Sequence, residues 1–120
     1  MFKRIFKRLA QDEDELRAQK LRAWAATVSG VTPIAEVEPR SVARFAGVVD
    51  RVRVRPREGV QAFEAVVDDG TGTVTAVWLG RRSIPGLVIG ARLIVEGRLG
   101  GDRNGLQVMN PTFEFIPVEH

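Results

Sequence analysis

The chain contains no cysteine, and its only histidine is the terminal His120. Disulfides, thiolate zinc sites, iron–sulfur clusters and thiol catalysis are excluded together. A Ser/His/Asp arrangement has no histidine to use except one at the chain end, where residues are commonly loose. No apolar run approaches the ~18–20 residues that span a bilayer. The first residues also lack the apolar core and small-residue cleavage site of a secretory signal, so a cytoplasmic location is expected. The phosphate-cradling GxxxxGK[ST] pattern is absent, and Gly70-Thr71-Gly72 has no helix after it to supply N-terminal amides. No residues for catalysis are visible, and the expectation is a protein that acts by binding, without metal or cofactor.

What is present suits one domain with an appendage. The 120 residues are 44% hydrophobic, 28% charged and of mixed sign, with a formal net charge of +3. That is enough apolar material for one modest core. The cations are mostly arginine, which stays charged and pairs bidentately with phosphate.

From Lys3 to about Val28 the chain is rich in helix formers and holds neither Gly nor Pro, until Ser29-Gly30 ends the pattern. A helix is expected there. Phe2, Ile5, Phe6 and Leu9 fall at helical spacing opposite Lys3, Arg4, Lys7 and Arg8; Leu16, Leu21, Trp24 and Val28 continue a looser stripe. Such a helix can pack on its own domain, dock on a partner or lie on a membrane surface; acidic Asp12–Glu15 oppose the last. Residues 31–40, with Pro33 and Pro39, read as an extended linker.

Beyond it the period changes to two. Strands are expected at about 42–55, 61–68, 73–79, 91–99 and 106–115, separated by turns at Arg55–Gly59, Asp69–Gly72 and Gly100–Gly105. The fold class is therefore all-β: a five-stranded barrel over residues 41–117, preceded by an N-terminal α-helix in residues 1–30. Alternation puts Phe63, Ala65, Val67, Val74, Ala76 and Trp78 in the core, with Glu64, Val66, Thr75 and Val77 on the opposite face. Phe113 and Phe115 are also expected inside. Asp68 and Asp69 suit hairpin chemistry better than a metal site, since adjacent acids point to opposite faces.

Gly47-Val-Val, Asp69-Gly-Thr-Gly72 with Val74-Thr-Ala-Val-Trp78, Ile84-Pro-Gly, Arg92-Leu-Ile-Val-Glu-Gly97 and Met109-Asn-Pro-Thr-Phe-Glu114 carry a resemblance. Together they resemble the OB-fold family of the anticodon-binding type, including the wedge domain of the RecG helicase and similar stand-alone bacterial proteins. The resemblance implies an OB-fold barrel that binds nucleic acid. Its anticodon-binding members usually present an aromatic stacking platform where Glu64 falls here.

Arg51, Arg53 and Arg55 alternate along the first strand and Arg57 follows, so their side chains share a face. A row of guanidiniums suits phosphates, and the same pattern also fits a solvated outer face. Arg81, Arg82, Arg98, Arg103 and Asn104 recur near the rims of such a groove, and Thr75 lies on its floor. Without stacking, binding would be electrostatic, with little sequence preference. The expected partner is single-stranded or branched DNA, or RNA; the alternative is a protein-interaction module using the barrel and the helix.

Overall fold

The computed structural model describes residues 2–102 and 105–117, with side chains from Lys7 onward. The apolar side chains of Phe2, Ile5 and Phe6, along with Arg103, Asn104 and His120, lie outside the described residues.

Helix α1 (Phe2–Ala25) is followed by a short 3-10 turn (Ile34–Glu36) and six strands: β1 (Val42–Arg57), β2 (Val60–Asp68), β3 (Thr73–Leu79), β4 (Arg92–Asp102), β5 (Gly105–Met109) and β6 (Thr112–Phe115). β1–β2, β2–β3 and β4–β5 are antiparallel neighbours, as their short connections require. A parallel β3–β5 pairing and an antiparallel β1–β4 pairing close the ring. The expected fifth strand is divided: Asn110 has φ 48 and Pro111 follows, so β5 ends there and β6 pairs with β4 instead. The β1–β2 turn is tighter than expected. Glu58 and Glu58's neighbour Gly59, at φ 51 and 81, make a two-residue hairpin, and Arg57 belongs to the strand.

Phe63, Ala65, Val67, Val74, Ala76 and Trp78 all lie in the core, as their alternation implies. Phe45 joins them, fully buried. Trp78 satisfies its indole N–H by donating to the Pro111 carbonyl (3.2 Å). Phe113 is only partly buried, and Phe115, expected inside, is 46% exposed. β6 is short and, among the described strands, pairs only with β4, so Phe115 packs against Gly86 and Phe113 at the rim instead of inside the barrel.

Residues 31–40 are more than an extended linker. Ile34 and Val37 enter the barrel core, and Thr32, Arg40 and Ser41 exchange backbone hydrogen bonds with Arg44 and Leu99. Pro33 and Pro39 exclude regular helix, but they do not exclude burial.

Among the described side chains of α1, those of its C-terminal third meet the barrel. Leu9 and Leu16 are exposed, while Leu21 and Trp24 are half-buried, and the Arg92 guanidinium lies 4.9 Å from the Trp24 ring centre. The helix rests on the β2–β3 hairpin at Gly70, where Arg22 Nη1 donates to the Gly70 carbonyl (3.0 Å). Gly70 has φ 85, and a Cβ there would stand 2.5 Å from the Ala18 carbonyl oxygen. Both the backbone conformation and the close approach demand glycine. Gly70→Ala is therefore expected to destabilise the protein by about 1–3 kcal/mol. Thermal unfolding should register this as a midpoint lower by several degrees; an unchanged midpoint would show that the helix is not seated there.

Candidate nucleic-acid interface

β1 reverses its facing partway along. Phe45 and Val49 point inward, and a β-bulge then separates Val49, opposite Val67, from Arg51, opposite Val66. The extra residue, Asp50, shifts the phase by one. After it Val52 faces the core, while Arg51, Arg53, Arg55 and Arg57 stand on the outer face with Glu64 and Val66 of β2. Without the bulge these arginines would point at the core. With it, the four guanidiniums that the sequence places on one face do share a face, and Thr75 and Gln107 continue it across β3 and β5.

The guanidiniums do not form an evenly spaced row. Three are drawn onto one carboxylate: Arg53 Nε lies 2.8 Å from Glu64 Oε1, and Arg55 Nε and Arg57 Nε lie 2.8 and 3.0 Å from Oε2. The Glu64 side chain is only 1% exposed, whereas those of Arg53 and Arg55 are about half-exposed. Burial alone would raise the Glu64 pKa; hydrogen bonds and charge from Arg53 and Arg55 outweigh it and hold the carboxyl below its ordinary value of 4.5. Arg53 and Arg55 each donate to the carboxylate through Nε. The result is a cationic cluster of three guanidiniums on one carboxylate, with Arg51 on the same face outside these ion pairs.

Arg57 is the most enclosed of the four. Its Nη1 and Nη2 both donate to Gln107 Oε1 (3.3 Å), so the side chain crosses from β1 to β5. Val77, paired with Glu64 on one side and Met109 on the other, lies beneath this crossing and is fully buried. It is on the outer face, as expected, but is not available to a ligand.

Beside the cluster lies a groove of about 600 Å³ that includes Arg51, Arg53, Val66, Thr73 and Thr75 in its lining. Its wall at the hairpin end is held by Asp69, which is 2% exposed. Asp69 Oδ2 accepts from the Ile34 N–H (2.8 Å), and Oδ1 accepts from the Thr71 N–H (2.8 Å) and hydroxyl (2.6 Å). The Ala35 N–H in turn donates to Thr71 Oγ1 (3.0 Å). Asp68 caps the Gly70 N–H (2.7 Å). Both acids therefore serve the turn, and no cluster of metal-binding side chains occurs among the described residues.

The remaining expected residues are dispersed. Arg81 and Arg82 are exposed beyond the end of β3 and do not line the groove. Arg98 stands within β4 opposite Val42, and its Nη1 donates to the Arg40 carbonyl (2.7 Å), so it is not at the rim of the β4–β5 turn. Arg103 and Asn104 fall outside the described residues. Sequence reasoning placed Glu64 on this face without its role as an anchor, and overlooked Ile34, Ala35 and Thr71 as a wall. Asp69-x-Thr71 is the only local signal of that wall.

A closed small barrel with a polar, arginine-bearing outer face on β1–β3 is the architecture of a nucleic-acid-binding module. Residues 43–116 match the family model of the OB-fold nucleic acid binding domain, tRNA anti-codon type, and the chain belongs to that family. It is thus a nucleic-acid-binding protein. No curated protein matches the chain. Among the described residues, no helix is long and apolar enough to cross a membrane.

The depressed Glu64 pKa has a defined sign. A group with a folded pKa below its unfolded value stabilises the fold at higher pH, and this contribution disappears as pH falls through the folded pKa. Glu64→Gln, which leaves guanidiniums facing an amide, is expected to cost about 1–3 kcal/mol at pH 7. The gap from wild type should narrow below about pH 4.5, as measured by urea unfolding at pH 7 and pH 3.5. A gap independent of pH would mean that the carboxylate charge does not organise the cluster.

Proposed function

We propose that this protein binds single-stranded or branched DNA through the outer face of β1–β3, with little sequence preference and without catalysis. The observation that carries the reading is the cluster itself: Arg53, Arg55 and Arg57 gathered on the buried Glu64, with exposed Arg51 beside them. Among the described residues no aromatic side chain stands on this face, so stacking, which contributes about 1–3 kcal/mol per base in single-strand binders, is not offered to bases. Guanidiniums recognise phosphate oxygens whatever the base. Pre-ordering of the side chains by Glu64 lowers the entropic cost of holding them on a strand. Because the heads converge, contact with only two or three phosphates is expected, and a flexible or unpaired strand can bring its phosphates to such a compact cluster more readily than a stiff duplex.

A second reading is favoured by the exposed Leu9 and Leu16, one heptad apart on the projecting part of α1: the helix docks on a protein partner.

Fluorescence anisotropy with labelled single-stranded, branched and duplex DNA and matched RNA, each at several salt concentrations, tests the first reading. With about three phosphates neutralised, log K should fall against log salt with a slope near −2 for single strands. Arg51→Ala should lower the magnitude of that slope by about 0.7. Arg51 has no ion pair among the described residues, so the variant is expected to fold normally. Tighter binding of RNA would reassign the substrate, and no binding of any nucleic acid at low salt would leave the partner-docking helix as the function.

A further inference from the structure

At its hairpin end, where a strand passing along β2 and β3 would leave it, the groove is bordered by Ile34, Ala35, Thr71 and Gly72. Ile34, 1% exposed, is part of the barrel core, and its N–H is tied to the buried Asp69. Ala35 is tied to Thr71, and Gly72 packs so closely on Ile34 that a Cβ there would stand 3.0 Å from Ile34 Cγ2. Moving this wall aside would break the buried Ile34–Asp69 hydrogen bond and open the core. On the other side, Arg57 crosses the face to Gln107. The groove, about 600 Å³ and bordered also by Gly105 and Leu106, falls within the ~300–1,000 Å³ of small-molecule clefts, the scale of a nucleotide or two rather than a running strand.

The donors in this space have little else to bind. Arg51 is exposed and has no ion pair among the described residues. Arg53 holds Glu64 through Nε only. The Thr73 and Thr75 hydroxyls have no hydrogen-bond partner among the described residues. Glu64 also borders the groove, but its charge is compensated by three guanidiniums. A phosphate monoester carries about −1.5 to −2 charge at pH 7 and three acceptor oxygens, against a single charge for an internal diester.

We propose that this hairpin end of the groove is a pocket for the terminal phosphate of a nucleic-acid strand, held by Arg51, the Nη groups of Arg53 and the hydroxyls of Thr73 and Thr75. The inference rests on the binding face described above. The strand's preceding phosphates lie over the Arg53–Arg55–Arg57 cluster, and its last nucleotide enters the pocket, where the Ile34–Ala35 wall stops it.

The test uses the full chain and one short single-stranded DNA in four forms: 5′-phosphorylated, 3′-phosphorylated, hydroxyl at both ends, and circular. Anisotropy at moderate salt should show one phosphorylated form binding about tenfold tighter than the hydroxyl-ended form. Which form gains identifies the end that enters. The circle should bind no better than the hydroxyl-ended strand. Thr73→Val with Thr75→Val should bring the ratio of phosphorylated to hydroxyl-ended affinity close to one, with folding checked by thermal unfolding. Equal binding of all four forms by the wild-type protein would overturn the terminal pocket and leave the cluster intact; failure to bind any form would overturn both.

Discussion

The register of β1 is the constraint on which both the core and the arginine-bearing outer face depend. A strand of this length must serve β4 with one half and β2 with the other while the barrel curls around it. Had the strand kept a single phase throughout, either Phe45 and Val49 would face water or four arginines would face the core. The bulge at Asp50 removes the conflict with one unpaired residue, adding the local twist that a small barrel needs as it closes. Gly47, just before it, permits the close approach of β1 to β2: a Cβ at this position would stand 2.6 Å from a Val67 methyl.

Once the arginines are turned outward, Glu64 decides what they become. A row of free guanidiniums on a strand would repel one another and sample many rotamers. Here a buried carboxylate takes one Nε from each of three side chains, and the arrangement repays its desolvation because all three partners are charged and well placed. Glu64, where the family resemblance implies an aromatic, is instead the residue that organises the cations. The face carries a net positive cluster and, among the described residues, no aromatic side chain.

Asp69 does for the backbone what Glu64 does for the side chains. Its carboxylate joins the 3-10 turn to the β2–β3 hairpin, while Gly70 in the same hairpin receives the helix. The hairpin tip is thus held from two sides, by α1 and by the Ile34–Ala35 wall of the groove. The helix and the binding face share this element without the helix's C-terminal turns lying over the cluster.

The barrel was largely legible in the amino-acid sequence. Period-two alternation in β2 and β3 assigns the inward set from Phe63 to Trp78, because burying one face of a pleated strand leaves few other registers. Gly at the turns marks the hairpins because it takes positive φ freely, and Asp68 and Asp69 do so by accepting from turn amides. The motifs from Gly47 to Glu114 further identify the family. Even the phase change in β1 is written in the spacing of Val49, Val52 and Val54. What could not be read locally depends on contacts between distant segments. The burial of Ile34 and Val37 in a segment that looks like a linker, the exposure of Phe115 and the removal of Arg98 from the groove all follow from barrel closure. So does the convergence of Arg53, Arg55 and Arg57 on Glu64. The sequence by itself determined which residues would be apolar, charged or turn-forming and therefore which face each strand turns inward. Only the tertiary structure decided which charges meet, because a carboxylate on β2 becomes an anchor, rather than an isolated buried acid, when the curl of the β1–β2 ribbon brings three guanidiniums within hydrogen-bonding distance of it.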